Sequence, residues 1–319
     1  MKLLRLLPCL LLSGITLFAA AKPVPVVLDT DIGDDIDDAL ALSLALQSPE
    51  LKVLAVSTVL QHGDERAALV WKILELYGRT DIPVGVGAEQ TLMGKPRTGD
   101  VVQAKALPAG FHAGGERVNG IELLLDTIRK SPEKVTVLAY GPLTNIALLL
   151  RADASIRGNI ERIVLMNGVF FRPGLEYNTM MDAEASAIVY SSGIPIETVG
   201  LDVTMQCRLS QSDMRRLESS KLDTVSFLLQ LIRLWQGKNP DAYPILHDPL
   251  AIAVAVKPDL VYTQRGSVKV ETHGTPDETY GMTIFRKDSS GNVTVANEVS
   301  SAKVIDFFLS RVLAPPRKP

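Results

Sequence analysis

Asp29, Asp31, Asp34, Asp35, Asp37 and Asp38 crowd into DTDIGDDIDDALAL, between the apolar run PVPVVL and a helical pattern. Two ionised carboxylates 4 Å apart repel by about 1 kcal/mol in bulk water and several-fold more near a protein surface. Two things offset this. A helix beginning near Asp35 sets its N-terminal amides and positive dipole end against the carboxylates. A divalent cation offsets more, and ligands that are all oxygen suit a hard ion, Ca2+ or Mg2+, over Zn2+. In a helical or near-helical turn Asp31, Asp35 and Asp38 share one face, while Asp34 and Asp37 point elsewhere. A helix cap alone needs one aspartate, so a run of six asks for more than capping.

Three further segments carry chemistry. In HDPLAIA, His247 and Asp248 open an apolar helix. An aspartate there is a common cap, but beside a metal site the histidine offers a proton donor or ligand, and Asp248 offers another carboxylate. In AYGPLTNIA the Gly141-Pro142 turn leaves strand-end carbonyls free to point outward, and carbonyls bind Ca2+ well. In LMNGVFFRPGLEYN, Glu176 and Asn178 flank Tyr177, so an extended loop turns both to one side, an acceptor and an amide suited to sugar hydroxyls. Trp235 and Tyr243, upstream of His247, read first as helix-packing aromatics and second as a stacking surface for a base.

Positioning these groups requires an ordered series of elements. Apolar Val/Ile-rich runs at Val24–Leu28, Val53–Val59, Val135–Tyr140, Arg162–Met166 and Pro195–Val199 read as strands. Helical patterns lie between them, at 36–47, 65–77, 119–130, 143–151 and 182–191. The alternation predicts an α/β fold: an open, mostly parallel, Rossmann-like sheet flanked by helices. Leu201–Arg208 reads as a strand exit, and 211–219, 222–235 and the HDPLAIAVAV run as helices. The tail reads as β pieces at Ser267–Glu271 and Asn292–Val295 and a helix over 301–313. Residues 83–120, rich in glycine and proline, read as a long surface loop of lid type. Ligands of such sheets sit at the carboxyl ends of the strands, where the aspartate run, Ser57 to His62, Gly141 to Asn145 and Asn167 to Asn178 fall.

The first 21 residues stand apart. A basic start at Lys2 and Arg5, an apolar middle and Ala19–Ala21 before Lys22 read as a cleaved secretory signal, with no stable membrane anchor. The expected product is one domain, 22–319, exported to a periplasm or secreted. Cleavage removes Cys9 and leaves Cys207 without an intramolecular partner. The 319-residue chain is 46% hydrophobic and 22% charged, enough for a large core. Its formal charge of −3, which becomes −5 without Lys2 and Arg5, and the lack of a basic stripe argue against nucleic acid.

In chain order, the DTD start, the DDA that follows, GPLTN, the LM-then-Glu-aromatic-Asn segment and HDPLA resemble the nucleoside hydrolase family of the inosine–uridine-preferring type, over nearly the whole mature chain. The resemblance implies a Ca2+-dependent enzyme that cleaves the N-glycosidic bond of a small-molecule ribonucleoside to free base and ribose, as a homodimer or homotetramer. It implies Asp31, Asp38, the Tyr140 carbonyl and Asp248 as metal ligands. It implies Asp31 as the base for an attacking water, His247 as the group that protonates or polarises the leaving base, and Glu176, Asn178 and Met166 against the ribose. Departure of the base creates an oxocarbenium-like centre.

The chain also departs from the family pattern. GDDIDDA is two residues longer than the usual GxDDA, so either Asp35 or Asp37 takes the ribose role, and His62 stands where an Asn contacts sugar and water. An exported Ca2+-dependent nucleoside- or sugar-binding protein without turnover is the non-enzyme alternative. A phosphatase of the haloacid dehalogenase type also starts strand–DxD, but leaves HDPLA without a role. An EF-hand fails because Gly33 occupies a ligand position.

Overall fold

The structure, a computed structural model, describes residues 22–94, 100–111 and 117–317. The signal expected at 1–21 lies outside the described residues, as does part of the expected 83–120 loop. Among the described residues nine strands form one sheet: β1 (Val24–Thr30), β2 (Leu51–Thr58), β3 (Val84–Val86), β4 (Val135–Ala139), β5 (Ile160–Met166), β6 (Ile196–Val199), β7 (Val261–Val270), β8 (Thr283–Lys287) and β9 (Val293–Val299). Their order is β3-β2-β1-β4-β5-β6-β9-β7-β8. The pairings from β3 through β9 are parallel, and β7 pairs antiparallel with both β9 and β8. The open, mostly parallel sheet expected from the sequence is therefore present.

Both faces are covered. Val26 and Leu28 of β1 enter one core and Val27 the other, the period-two alternation of a strand buried on both sides. The first core is packed by α1 (Asp37–Gln47), α2 (Gly63–Leu76), α9 (Asp223–Gln236), α10 (His247–Val256) and α11 (Ser301–Val312). The second is packed by α3 (Gly120–Lys130), α4 (Thr144–Ala152) and α6 (Ala183–Tyr190), with the short α5 (Tyr177–Met181) leading into α6. Helices α7 (Leu201–Thr204) and α8 (Gln211–Glu218) complete the set. No helix among the described residues is long and apolar enough to cross a membrane.

Three expectations about elements are corrected. Leu201–Arg208 is not a strand exit: Leu201–Thr204 is one helical turn, and only Arg208 bridges to Ile245. The 83–120 region is not all loop, for Val84–Val86 is a strand and Val102–Ala106 a 3₁₀ turn. Its glycines read as turn signals, yet Gly85 serves close packing, since a Cβ there would lie 2.5 Å from the Gly120 Cα. The tail holds three strands, of which β8 is a short edge strand whose TIFRK sequence shows little alternation.

The strand order reverses between β1 and β4, and a crevice opens at their carboxyl ends. Register aligns it: Asp29 pairs with Ala139 and Ser57, and Ala139 with Leu165, so the aspartate run, Tyr140 and Met166 leave the sheet at one level.

Candidate active site

Helices α1 and α10 bring the distant halves of the site together. DDALALSLALQ is buried at every position and HDPLAIAVAV at most of its positions, apolar nearly all round, and the two helices pack on each other. Their first turns carry Asp37, Asp38 and Asp248, whose carboxylate oxygens lie within 4.8 Å of one another. The Asp248 N–H donates to Asp37 Oδ2 at 3.3 Å, and Thr30 Oγ1 donates to Asp38 Oδ1 at 2.5 Å.

The helix begins at Asp37 with Ile36 as its N-cap, near Asp35 as expected, but Asp31 and Asp35 precede it, so the face expected to hold Asp31, Asp35 and Asp38 is not a helical one. Asp37, expected to point elsewhere, joins Asp38 and Asp248. Asp34, also expected to point elsewhere, pairs its carboxylate with the buried Arg66 at 3.0 Å. Asp35 is exposed and accepts the Ile36 N–H at 2.6 Å. Gln103 of the 3₁₀ turn braces this loop, donating its side-chain amide to the Asp35 carbonyl and its backbone N–H to the Gly33 carbonyl at 3.2 Å.

Asp31 lies against the β4 turn. A Cβ on Gly141 would fall 2.8 Å from Asp31 Oδ1, so glycine is what lets the carboxylate approach that turn. The Tyr140 carbonyl and the Met166 carbonyl both accept from Asn178 Nδ2, at 3.3 and 3.1 Å. Glu176 is the N-cap of α5. Its carboxylate accepts the N–H groups of Gly168 (3.0 Å), Asn178 (2.7 Å) and Thr179 (3.0 Å). Glu176 and Asn178 do share the buried side while Tyr177 is exposed, but through a cap and a helical turn instead of an extended loop. In GPLTN, Asn145 is a strut: its amide donates to Asp29 Oδ1 at 2.7 Å and to the Thr58 carbonyl at 2.9 Å.

Electrostatics make the cluster unstable as bare anions. Burial pushes the Asp37, Asp38 and Asp248 carboxyls well above the usual carboxylate range, and their negative neighbours push the same way. Burial raises Asp31 to about 7, against the opposing pull of Arg66. Three buried, all-oxygen donors at this spacing fit a divalent cation, which would reverse those shifts. Burial, then the charge of Arg208, lowers His247 to about 4, so its ring is neutral at pH 7. Its Nδ1 lies 2.7 Å from Thr204 Oγ1, which fixes the ring's orientation.

One cavity of about 720 Å³ collects Asp31, Asp35, Asp37, Asp38, Tyr140, Met166, Glu176, Asn178, His247 and Asp248. Trp235 also lines it, so this residue faces the site as well as packing in its helix. His62 does not line it: the residue is exposed at the N-cap of α2, in a left-handed conformation (φ 62°). The sequence reading missed Arg66, Gln103 and Thr204. Only the oddity of an arginine inside the apolar face of α2 hinted at the first.

The sequence pattern of the family described as inosine-uridine preferring nucleoside hydrolase matches residues 26–306. The chain is 35% identical over 310 residues to the pyrimidine-specific ribonucleoside hydrolase RihA of Citrobacter koseri, covering 91% of this chain and 98% of that protein. It is 35% identical over 271 residues to uridine nucleosidase 1 of Arabidopsis thaliana, covering 79% and 80% respectively. Among solved structures, a plant nucleoside hydrolase, the PpNRh1 enzyme, superposes with a TM-score of 0.81 at 27% identity over 92% of this chain and 100% of that one. The purine-preferring ribonucleoside hydrolase of Gardnerella vaginalis gives 0.79 at 25% identity over 91% and 98%.

Proposed function

The chain belongs to the inosine-uridine preferring nucleoside hydrolase family and is an N-ribosyl hydrolase, and from that premise we propose a Ca2+-dependent enzyme that releases ribose from pyrimidine ribonucleosides, uridine first. The observation that carries the site assignment is the convergence of Asp37, Asp38 and Asp248 with Glu176, Asn178 and His247 on one cavity. The names of the two sequence relatives, pyrimidine-specific and uridine-cleaving, support the base class.

Asp31, Asp38, Asp248 and the Tyr140 carbonyl would hold the ion, with Asp37 beside them. When bound, Ca2+ supplies positive charge that orders hydroxyls and raises the acidity of water. The remaining work belongs to the chain's own groups. Asp31 takes the proton of the attacking water. Asp37 accepts from a ribose hydroxyl, the choice over Asp35 resting on its burial in the cluster. Glu176 and Asn178 fix the sugar, and Met166 lies under it, so the reacting carbon is oriented before bond cleavage. His247, neutral at pH 7, donates an imidazole N–H to the leaving base, polarising it without a full proton transfer from an imidazolium. The buried walls exclude bulk water from the oxocarbenium-like centre.

Export after cleavage at residue 21, to a periplasm or medium, and a homodimer or homotetramer complete the proposal. Uridine, cytidine, inosine, adenosine and guanosine are incubated with the Ca2+-loaded protein, and free ribose and base are quantified. Ribose from uridine at the highest rate is expected; no ribose from any of the five overturns the assignment.

A further inference from the structure

Arg66 is the largest fully buried side chain among the described residues, only 1% exposed, in the first turns of α2. A buried guanidinium is costly unless its donors are matched. Here the fork spans two loops. Nε donates to the Gln61 carbonyl at 2.8 Å; Nη1 donates to the carbonyls of Asp31 and, at 2.9 Å, Ile32; Nη2 meets Asp34 Oδ2 at 3.0 Å. The Asp31–Asp34 turn follows β1, and the Leu60–His62 turn follows the neighbouring β2. In the second turn Leu60 (φ 73°) and His62 (φ 62°) are both left-handed, a conformation that non-glycine residues keep only where surroundings enforce it. The carbonyl between them is the one Arg66 grips.

Resting on the function proposed above, we infer that Arg66 is a positioning residue that holds the backbone of the aspartate turn in its ion-binding shape, acting through the Asp31 and Ile32 carbonyls. The two possible roles of this arginine differ in sign. As a charge, a buried cation beside Asp31 and Asp38 opposes the entry of a second cation. As a clamp, it pre-organises the carboxylates and favours entry. The four oxygens it ties are set by planar fork geometry, which a lysine ammonium cannot reproduce.

The test is a calorimetric titration of Ca2+ alone into the wild-type protein, Arg66→Met and Arg66→Lys, with near-ultraviolet circular dichroism to verify folding. Arg66→Met keeps the apolar stem and removes both fork and charge. The expected result is Ca2+ binding at least tenfold weaker in Arg66→Met, despite the loss of a repelling charge, and weaker also in Arg66→Lys, with KM for uridine raised in both. Unchanged or tighter Ca2+ binding in folded Arg66→Met overturns the inference. Should Arg66→Met fail to fold, wild-type affinity in Arg66→Lys overturns it instead. If the wild type itself binds no Ca2+, the reading of the site falls and this inference with it; if the wild type binds and the variants match it, only the inference falls.

Discussion

Stripping divalent ions with a chelator and titrating Ca2+ back at pH 7 should release about one to two protons per ion bound. The number follows from the spacing of Asp37, Asp38 and Asp248, whose oxygens lie within 4.8 Å of one another. At an effective dielectric near 20, each ionised pair at that separation costs roughly 3–4 kcal/mol. Each ionised neighbour therefore keeps the next carboxyl protonated to higher pH. Burial pushes in the same direction. The chelated cluster therefore holds protons at neutral pH that a bound cation expels. Calorimetry in two buffers of different ionisation enthalpy counts them, because the apparent enthalpy changes with the buffer in proportion to protons released. The count should fall at pH 9, where fewer protons remain. Asp37→Asn, which removes one acid and keeps an oxygen for the Asp248 N–H, should lower it by about one at pH 7. Tight Ca2+ binding with no buffer dependence at pH 7 would refute the claim that the ion enters at this carboxylate cluster.

Three further outcomes are expected. His247 titrates near 4 in the fold against an ordinary 6.5, so between those values the unfolded chain binds more protons. Its contribution of about 3 kcal/mol is therefore present above pH 6.5 and lost as pH falls to 4; urea melts at pH 4.5 and 7 should show a smaller loss in His247→Gln than in wild type. Asn178→Ala removes the amide that ties the Tyr140 and Met166 carbonyls, and should cost about 1–3 kcal/mol by denaturant melting and raise KM more than it lowers kcat. Trp235→Phe deletes an indole N–H from the cavity wall. A loss of about 0.5–1.5 kcal/mol in substrate affinity, two- to tenfold in KM, should follow with Ca2+ affinity unchanged; unchanged KM would remove Trp235 from the substrate wall.

How much was legible in the sequence depends on distance along the chain. The central strands and their helices were readable because β-branched runs and amphipathic repeats are local signals, and the carboxyl-edge position of the polar segments follows from the fold class. That the aspartate run needs an offsetting positive charge is readable from residue type alone. Which aspartates converge was not, because it depends on α1 starting at Asp37 and packing on α10, whose Asp248 is 211 residues away. The role of Asp34 has no local signal, because its partner, Arg66, lies 32 residues on, inside another helix. Glu176 and Asn178 were placed on the correct side by an extended-loop argument, although the actual cause is a cap followed by a helical turn. His62 is not among the residues that line the cavity and, like Leu60, is left-handed, which no local pattern of leucine, glutamine and histidine foretells.

The most direct test of the account couples ion occupancy to bond cleavage in one experiment. Chelated protein receives Ca2+ in substoichiometric steps while bound ion and ribose released from uridine are measured together. The account predicts that ribose release rises from baseline in proportion to occupancy, saturates at one equivalent, and is abolished with the high-affinity site in Asp248→Asn. Full activity in the chelated protein, or a saturated Ca2+ site with no ribose released, would contradict it.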